Sequence, residues 1–239
     1  MNHLIKHFAL EMQKISSPKT PESTDTYTVI PHAQLVDTIK NKASERLDGI
    51  PFLSTTLTKD GGQMSGTLSF PVKNNHTGIA VAFANSYNKR VKVLIAGGGY
   101  TWICGNGSIF GDITTARKHT GSAMDVICEN IDIVLDKVEE DYNGFIEKIK
   151  LMDEVSINNL VASRILGELR YNKSILSERE AAAANREWIR PTHFQERSLW
   201  GLYNACNGSL RSHHPTSSIH THRRLYDHFS DTTDNMLKL

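Results

Sequence analysis

The sequence predicts an α+β fold: an antiparallel β meander followed by a long helix and a C-terminal helical region. Two patterns indicate it. Between residues 52 and 105, short runs rich in β-branched and aromatic residues alternate with turn residues, as strands and hairpins do. Beyond residue 114 the apolar residues recur at gaps of three and four, which is the period of a helix. The connections in the first region are too short for crossover helices, so the strands should pair antiparallel.

The first 25 residues predict a helix and a linker. Leu4, Phe8 and Met12 have helical spacing, and charged residues interrupt the stretch, so it is neither a signal peptide nor a membrane span. An amphipathic helix of this kind usually buries its apolar stripe on protein. Two prolines among the polar residues of segment 16–25 then indicate a linker.

Strands and turns follow in series, and a helix over about 32–47 separates the first strand from the others. Asp60-Gly61 predicts a hairpin. Gly97–Gly99 and Asn106-Gly107 are interpreted as turns, with a loop whose backbone amides face an anion as the alternative. The strands are expected at 26–30, 52–58, 64–72, 78–86, 91–97 and 100–105.

A long helix of up to about 35 residues should begin near Thr114 and loosen at Gly144. Its buried face is expected to consist of Met124, Ile127, Ile131, Val134, Val138, Tyr142, Phe145 and Ile149. Three further helices are expected. The first covers 156–171, with Leu160, Val161, Ile165 and Leu169 inward. The second follows a Ser177–Glu180 capping box, and the third covers 196–210. Trp188 and Trp200 are interpreted as core residues.

The chain is thus divided into three parts. An N-terminal helix and linker (1–25) precede a single α+β domain (26–210), and a His-rich C-terminal tail (211–239) follows it. The tail is expected to consist of loop and a short helix.

The composition limits the class of partner. The 239 residues carry 27 Lys and Arg against 26 Asp and Glu, a net charge of +1, so a nucleic acid must be met by a local patch. Three cysteines without a C-x-x-C pair fit a reducing cytoplasm. No apolar run approaches the roughly 18 residues that span a bilayer, so no membrane partner is expected.

The common catalytic and cofactor motifs are missing from the sequence. No Lys-Ser or Lys-Thr follows the glycines of segment 97–111, which excludes a Walker loop, and the third glycine of a dinucleotide fingerprint is misplaced. No G-x-S-x-G motif occurs. His220, His222 and Asp227 have only weak metal-site spacing. The sequence therefore predicts no enzyme, no cofactor and no metal.

Basic residues give the clearest candidate for a binding site. Two cationic stretches precede an acidic run at 125–141. If the two stretches lie together, they form a rim suited to phosphates, with tyrosines placed to stack on bases. The alternative is a solvated turn beside an ordinary helix. The candidate nucleic-acid-binding residues are Tyr87, Lys89, Arg90, Lys92, Tyr100, Arg117, Lys118 and His119.

Several short motifs occur in a familiar order. They are an Asn-Ser pair before a turn, a Cys-x-Asn-Gly strand end, a His-Thr pair, and a Trp followed by Tyr-Asn-Ala. The matching residues are Asn85, Ser86, Cys104, Asn106, Gly107, His119, Thr120, Trp200, Tyr203, Asn204 and Ala205. This order resembles the phage/plasmid-like protein family, a domain of unknown function found in phages and plasmids. The chain departs from the family in its N-terminal helix, its His-rich tail and Gly105.

The resemblance implies a mobile-element protein with no established enzymatic role. A meander followed by a long helix is also similar to phage single-strand annealing proteins. We therefore expect a non-enzymatic DNA-binding protein of a phage or plasmid, in the host cytoplasm, that binds single-stranded DNA for annealing or protection. Annealing favours a homo-oligomer. The alternative is an anti-defence inhibitor that binds a host immune protein or sequesters a nucleotide signal.

Overall fold

The computed structural model of the chain confirms an antiparallel sheet followed by helices. It describes residues 2–25, 27–71, 77–90, 92–101, 106–115, 123–192, 196–210 and 215–238. The strands within these residues are β1 (Phe52–Leu57), β2 (Gln63–Pro71), β3 (Thr77–Ser86), β4 (Leu94–Thr101) and β5 (Asn106–Thr115). Each pairs antiparallel with its neighbour in the chain, so the described sheet is a five-stranded meander. The expected hairpin at Asp60-Gly61 joins β1 to β2, and Gly61 has the positive φ (65°) that such a turn needs.

The described residues form seven α-helices. The expected long helix is confirmed, but it begins at Ala123 and not near Thr114, which belongs to β5. The helices are α1 (Asn2–Ser16), α2 (His32–Ser44), α3 (Ala123–Glu154), α4 (Asn159–Gly167), α5 (Glu178–Ile189), α6 (Leu199–Ser209) and α7 (Pro215–Met236). A π-helical turn, Glu168–Asn172, continues α4. The long helix α3 has 32 residues and runs unbroken through Gly144. The capping box is also confirmed, since Ser177 Oγ accepts from Glu180 N and Glu180 Oε2 accepts from Ser177 N.

The glycine run at 97–99 lies inside β4, so its interpretation as a turn or an anion-binding loop is wrong. A Cβ atom on Gly97 would come 2.9 Å from Cβ of Val138, and one on Gly99 would overlap the ring of Phe145. Because these two glycines have no side chains, α3 can lie directly against the strand. The strands expected at 91–97 and 100–105 are consequently one strand.

Asn106 and Gly107 also belong to a strand rather than to a turn. They open β5 and pair with Thr101 and Tyr100 of β4. No strand is expected from the sequence at 106–115, because its glycines and small polar residues are typical of turns.

Residues 27–30 do not form the strand that the sequence predicts at 26–30. Tyr27 makes only an isolated bridge with Thr24. Tyr27 and Ile30 are nonetheless buried, because the segment packs against the end of β3, where Tyr27 Oη donates to Ser86 O (2.9 Å).

Two expectations for the C-terminal half are also wrong. Leu160 does not point inward: it is 79% exposed in the first turn of α4. The tail is not loop and short helix, since α7 has 22 residues and buries Ile219, Leu225 and Phe229. Histidines and arginines separate these apolar residues, so the sequence shows no continuous stripe.

Helices cover both faces of the sheet. Side chains alternate between the two faces along a strand, and the face of Gly97 and Gly99 packs against α3. The opposite face has small, buried side chains that pack with Ile219 of α7: Ala82, Ala84, Leu94 and Ala96. The C-terminal helix thus closes the second face of the sheet.

A second hydrophobic core joins the C-terminal helices to the end of α3. Trp188 and Trp200 are buried in it, as expected. Tyr203 of α6 contacts Phe229 of α7, with ring centroids 5.4 Å apart. The helix α3 spans both cores, because its first half packs on the sheet and Met152 near its end belongs to the second core.

The N-terminal helix α1 docks along β1, the outer strand of the sheet. His7 Nε2 hydrogen-bonds Leu53 O (2.9 Å), Glu11 Oε2 accepts from Thr55 N (2.9 Å), and Lys14 Nζ donates to Thr55 O. An unpaired strand edge is a template for pairing with another chain. Three side chains spaced one helical turn apart therefore occupy that edge.

We expect Gly99→Ala to destabilise the fold, because the added methyl group would overlap the Phe145 ring. Overpacking costs about 1–3 kcal/mol in the free energy of unfolding, which urea denaturation measures. Gly144→Ala is the matched control. Nothing lies within 4 Å of a Cβ at Gly144, so alanine should stabilise α3 by about 0.5–1 kcal/mol. Equal effects of the two substitutions would contradict the close packing of α3 on β4.

We expect Glu11→Ala to loosen α1 from the edge of the sheet, because Thr55 N loses its acceptor. The lost hydrogen bond costs about 1 kcal/mol, so the Thr55 amide should exchange with solvent about five-fold faster. Gln13→Ala, on the exposed side of the same helix, should leave this exchange unchanged. Unaltered protection in Glu11→Ala would show that the carboxylate does not hold the edge.

Candidate nucleic-acid interface

A short turn between β3 and β4 presents the first group of predicted cations to solvent. Lys89, Arg90 and Lys92 are all exposed, and no salt bridge to another described residue engages them. Lys89 has a left-handed backbone conformation with φ of 62°, and its Nζ lies 4.6 Å from the centroid of the Tyr27 ring. The turn therefore holds three positive charges at the surface, one of them over an aromatic ring.

A buried polar cluster fixes this turn to the fold. The ring of Tyr87 stacks on that of His32, with centroids 3.9 Å and planes 10° apart, and the Tyr87 hydroxyl accepts from His32 N (2.8 Å). His32 is fully buried. Its Nε2 donates to Gly61 O (3.1 Å), and its Nδ1 accepts from Asn85 Nδ2 (3.1 Å). Because a carbonyl only accepts and an amide nitrogen only donates, His32 must be neutral with its hydrogen on Nε2.

Asn85 and Ser86, the Asn-Ser pair of the family resemblance, belong to this buried cluster. Neither has exposed surface. Asn85 Nδ2 also donates to Ile30 O (2.8 Å), Asn85 Oδ1 accepts from Ser86 N (2.9 Å), and Tyr27 Oη donates to Ser86 O. These hydrogen bonds tie the end of β3 to the segment before α2, so the pair positions the cationic turn.

Two further elements begin or end beside the turn. The helix α2 starts at His32, whose backbone N–H donates to the Tyr87 hydroxyl. The strand β5 ends here, since Thr115 pairs with Leu94, the first residue of β4. The turn, the start of α2 and the end of β5 therefore share one end of the sheet.

The helix α3 begins at the same end. Val138 lies over Gly97 and Phe145 over Gly99, so the helix runs in the same direction as β4. Its N-terminus carries the positive end of the helix dipole, which favours anions. The second predicted group of cations, Arg117–His119, lies outside the described residues, in the chain between β5 and α3.

Tyr100 lies at the opposite end of the sheet, so the expectation that it neighbours the basic turn is wrong. It pairs with Gly107 near the far end of β4, a strand of eight residues. At about 3.3 Å per residue, the two ends of this strand lie roughly 25 Å apart. Asn106 is at the far end as well, and Cys104 lies outside the described residues. The error follows from interpreting the glycine run as a turn.

Sequence reasoning missed three residues of this site, the exposed Lys59 and the buried Tyr27 and His32. Tyr87 N donates to Gly62 O (2.8 Å), so the β1–β2 hairpin lies beside the turn and contributes the exposed Lys59. A signal for Lys59 existed, because alternate hairpins of a meander emerge at the same end of a sheet. The sequence holds no comparable signal for the other two.

The described histidines of the C-terminal region, His220, His222 and His228, lie on α7, and His213 and His214 lie outside the described residues. His222 Nδ1 hydrogen-bonds Asn207 Oδ1, and Arg223 Nε donates to Asp227 Oδ1 (2.9 Å). His220 and His222 are two positions apart on a helix and do not share a face. No group of three or more His, Cys, Asp or Glu side chains that could hold a metal ion occurs among the described residues. None of the described helices is long and apolar enough to cross a membrane.

Comparisons of the chain with protein-family models, curated proteins and solved structures find no match. The resemblance to the phage/plasmid-like family stays a prediction that rests on its short motifs. Asn85-Ser86 lies under the cationic turn, whereas Asn106-Gly107 lies at the far end of the sheet. Among the described residues, these two motif pairs therefore do not converge on one site.

The stability of the fold should fall as the pH is lowered below 6.5. Burial lowers the pKa of His32 from its ordinary value of 6.5, and the hydrogen bond to Gly61 opposes this only in part. The unfolded chain therefore takes up a proton at higher pH than the folded chain does. The stabilisation is complete above the ordinary pKa and is lost as the pH falls towards the folded value. Urea denaturation at about pH 7.5 and about pH 5.5 measures the loss.

His32→Phe tests this assignment, because it keeps the ring stack on Tyr87 but removes the titration. It should lower stability at neutral pH by about 1–3 kcal/mol, since buried partners such as Asn85 lose a hydrogen bond, and it should flatten the pH dependence. Burial also lowers the pKa of His228, so His228→Phe is measured alongside. A pH dependence that persists in His32→Phe and vanishes in His228→Phe would contradict the role of His32.

Proposed function

We propose that the protein is a non-enzymatic DNA-binding protein of a phage or plasmid that binds the backbone of single-stranded DNA at the cationic end of its sheet. The observation that carries the proposal is the state of Lys89, Arg90 and Lys92. They are exposed and have no salt bridge to the described residues, and buried hydrogen bonds hold their turn in place. Such cations bind phosphates and release the counterions of the strand.

The aromatic residues beside the turn favour a single strand over a duplex. One face of Tyr87 is stacked on His32, and the residue remains partly exposed next to the cations. Bases are open to stacking on such a ring only where they are unpaired. Tyr100, at the other end of the sheet, has no part in this contact.

Two acidic residues of α3 are paired with cations of α2 and the segment after it, although Asp125 is exposed in the first turn of α3 at this end. Lys42 Nζ lies 2.6 Å from Asp132 Oδ2, and Arg46 is paired with Asp136. These ion pairs lie along the helices, away from their first turns. The N-termini of α2 and α3 add the positive ends of two helix dipoles near the turn.

Annealing, oligomerisation and a location in the host cytoplasm extend this proposal. They follow from the resemblance to phage proteins.

Fluorescence anisotropy with a labelled oligonucleotide of about 20 nucleotides tests the proposal. Lys89→Ala/Arg90→Ala should weaken binding about ten-fold at low salt and reduce the dependence of affinity on salt, because about two phosphate contacts are lost. Lys150→Ala/Arg186→Ala removes the same charge from exposed positions of α3 and α5. This control should bind like the wild type.

Two results would overturn the proposal. One is equal weakening by both double substitutions, because binding would then depend on total charge and not on the turn. The other is the absence of wild-type binding even at about 50 mM salt. In that case the inhibitor of a host defence protein is the function to test, by capture of partners from host extract.

A further inference from the structure

An exposed aromatic side chain lies beside a cavity at the π-helical turn, Glu168–Asn172. Tyr171 is 74% exposed, and the guanidinium carbon of Arg170 lies 4.8 Å from the centroid of its ring. A cavity of about 500 Å³ adjoins the pair and is lined also by Ser174 and Ser177. This cavity belongs to the C-terminal helical region and is separate from the cationic turn.

Two uncommon backbone conformations form the wall of this cavity. The π-helical turn ends the helix that begins with α4, and π-helical segments are rare. Ser174 has a left-handed φ of 51°, which is unfavourable for a residue other than glycine. Ile175 N donates to Leu169 O (2.8 Å) and holds the segment in this shape. In this backbone conformation the ring of Tyr171 is exposed to solvent. Packing alone does not explain why the ring is exposed.

Arg170 has hydrogen-bonding capacity that the protein does not use. Its Nε is buried and has no partner among the described residues. Its Nη2 donates to Glu178 Oε2 (3.1 Å), but the Glu178 side chain is 84% exposed, and an exposed ion pair contributes little. A phosphate can replace Glu178, because a guanidinium binds phosphate oxygens through two parallel N–H groups.

The charges around the cavity permit an anionic group. Glu180 lines it, but its carboxylate accepts from Ser177 N and Ser177 Oγ and is used within the capping box. Arg224 donates to the carbonyl of the exposed Lys173, three residues after Arg170 in the chain.

We propose that this cavity binds one nucleotide, with the base stacked on the open face of Tyr171 and the phosphate bound by Arg170. The guanidinium covers one face of the ring, so guanidinium, tyrosine and base form a stack of three planar groups. The phosphate takes the place of the exposed Glu178 carboxylate on Arg170 Nη2. Where the nucleotide is part of a DNA strand, the inference rests on the proposed function. A free nucleotide presents the same base and phosphate to the site.

The test compares substitutions on two labelled ligands, an oligothymidylate of about 20 nucleotides and an abasic strand of the same length. Tyr171→Ala should weaken binding of the oligothymidylate about ten-fold and leave the abasic strand unaffected. Tyr171→Phe keeps the ring and should bind like the wild type. Leu160→Ala is the matched control, since Leu160 is a similarly exposed apolar residue on α4, and it should change neither ligand.

The outcomes separate this site from the proposed function. If Tyr171→Ala leaves oligothymidylate binding unchanged, or weakens both strands equally, the nucleotide site is overturned; strand binding that still falls in Lys89→Ala/Arg90→Ala upholds the proposed function. If the wild type binds neither strand, the proposed function fails and thymidine monophosphate becomes the probe in calorimetry. Binding that is lost in Tyr171→Ala would then support the site for a free nucleotide, and no binding would overturn it.

Discussion

The close contact between α3 and β4 is the constraint on which the rest of the structure depends. Gly97 and Gly99 carry no side chains, so Val138 and Phe145 lie directly against the strand. This contact fixes the direction of α3. Its start then lies at the cationic end of the sheet, and its last turns reach the second core, where the C-terminal helices pack. The helix therefore runs from the cationic end of the sheet to the helical region that holds the second candidate site.

Buried polar groups support the cationic end of the sheet. At one end, hydrogen bonds among His32, Asn85 and Tyr87 bury polar groups and hold a turn whose charged side chains face solvent. A satisfied buried network of this kind is rigid, and removal of any member leaves its partner unpaired. The turn can therefore present its cations in a fixed arrangement. The far end of β4, with Tyr100, is too distant to contribute to the same contact.

Much of this fold could be predicted from the sequence, because hydrophobic period and turn chemistry are local signals. The hairpin at Asp60-Gly61 and the face of α3 that includes Phe145 are examples. The glycine run could not be assigned in this way, since glycine serves both a tight turn and the close approach of a helix. The choice depends on α3, which is distant in sequence.

The candidate sites were harder to predict, because they depend on which side chains are buried and on which ends of the strands and helices lie together. Lys59 could have been placed beside the turn from the alternation of hairpins in a meander. The exposure of Tyr171 and Leu160 could not have been predicted, because apolar residues at helical spacing are ordinarily buried. Both are more than 70% exposed here. The burial of His32 depends on contacts with Asn85 and Gly61 that no local pattern shows.

The central claim is that DNA binds at one end of the sheet. Hydrogen exchange with and without a single-stranded oligonucleotide tests this claim most directly. The claim predicts that amides at 59–62 and 87–92 become protected on binding, while those at 77–79 and 106–109 exchange at unchanged rates. Protection confined to the far end, or equal at both ends, would contradict it.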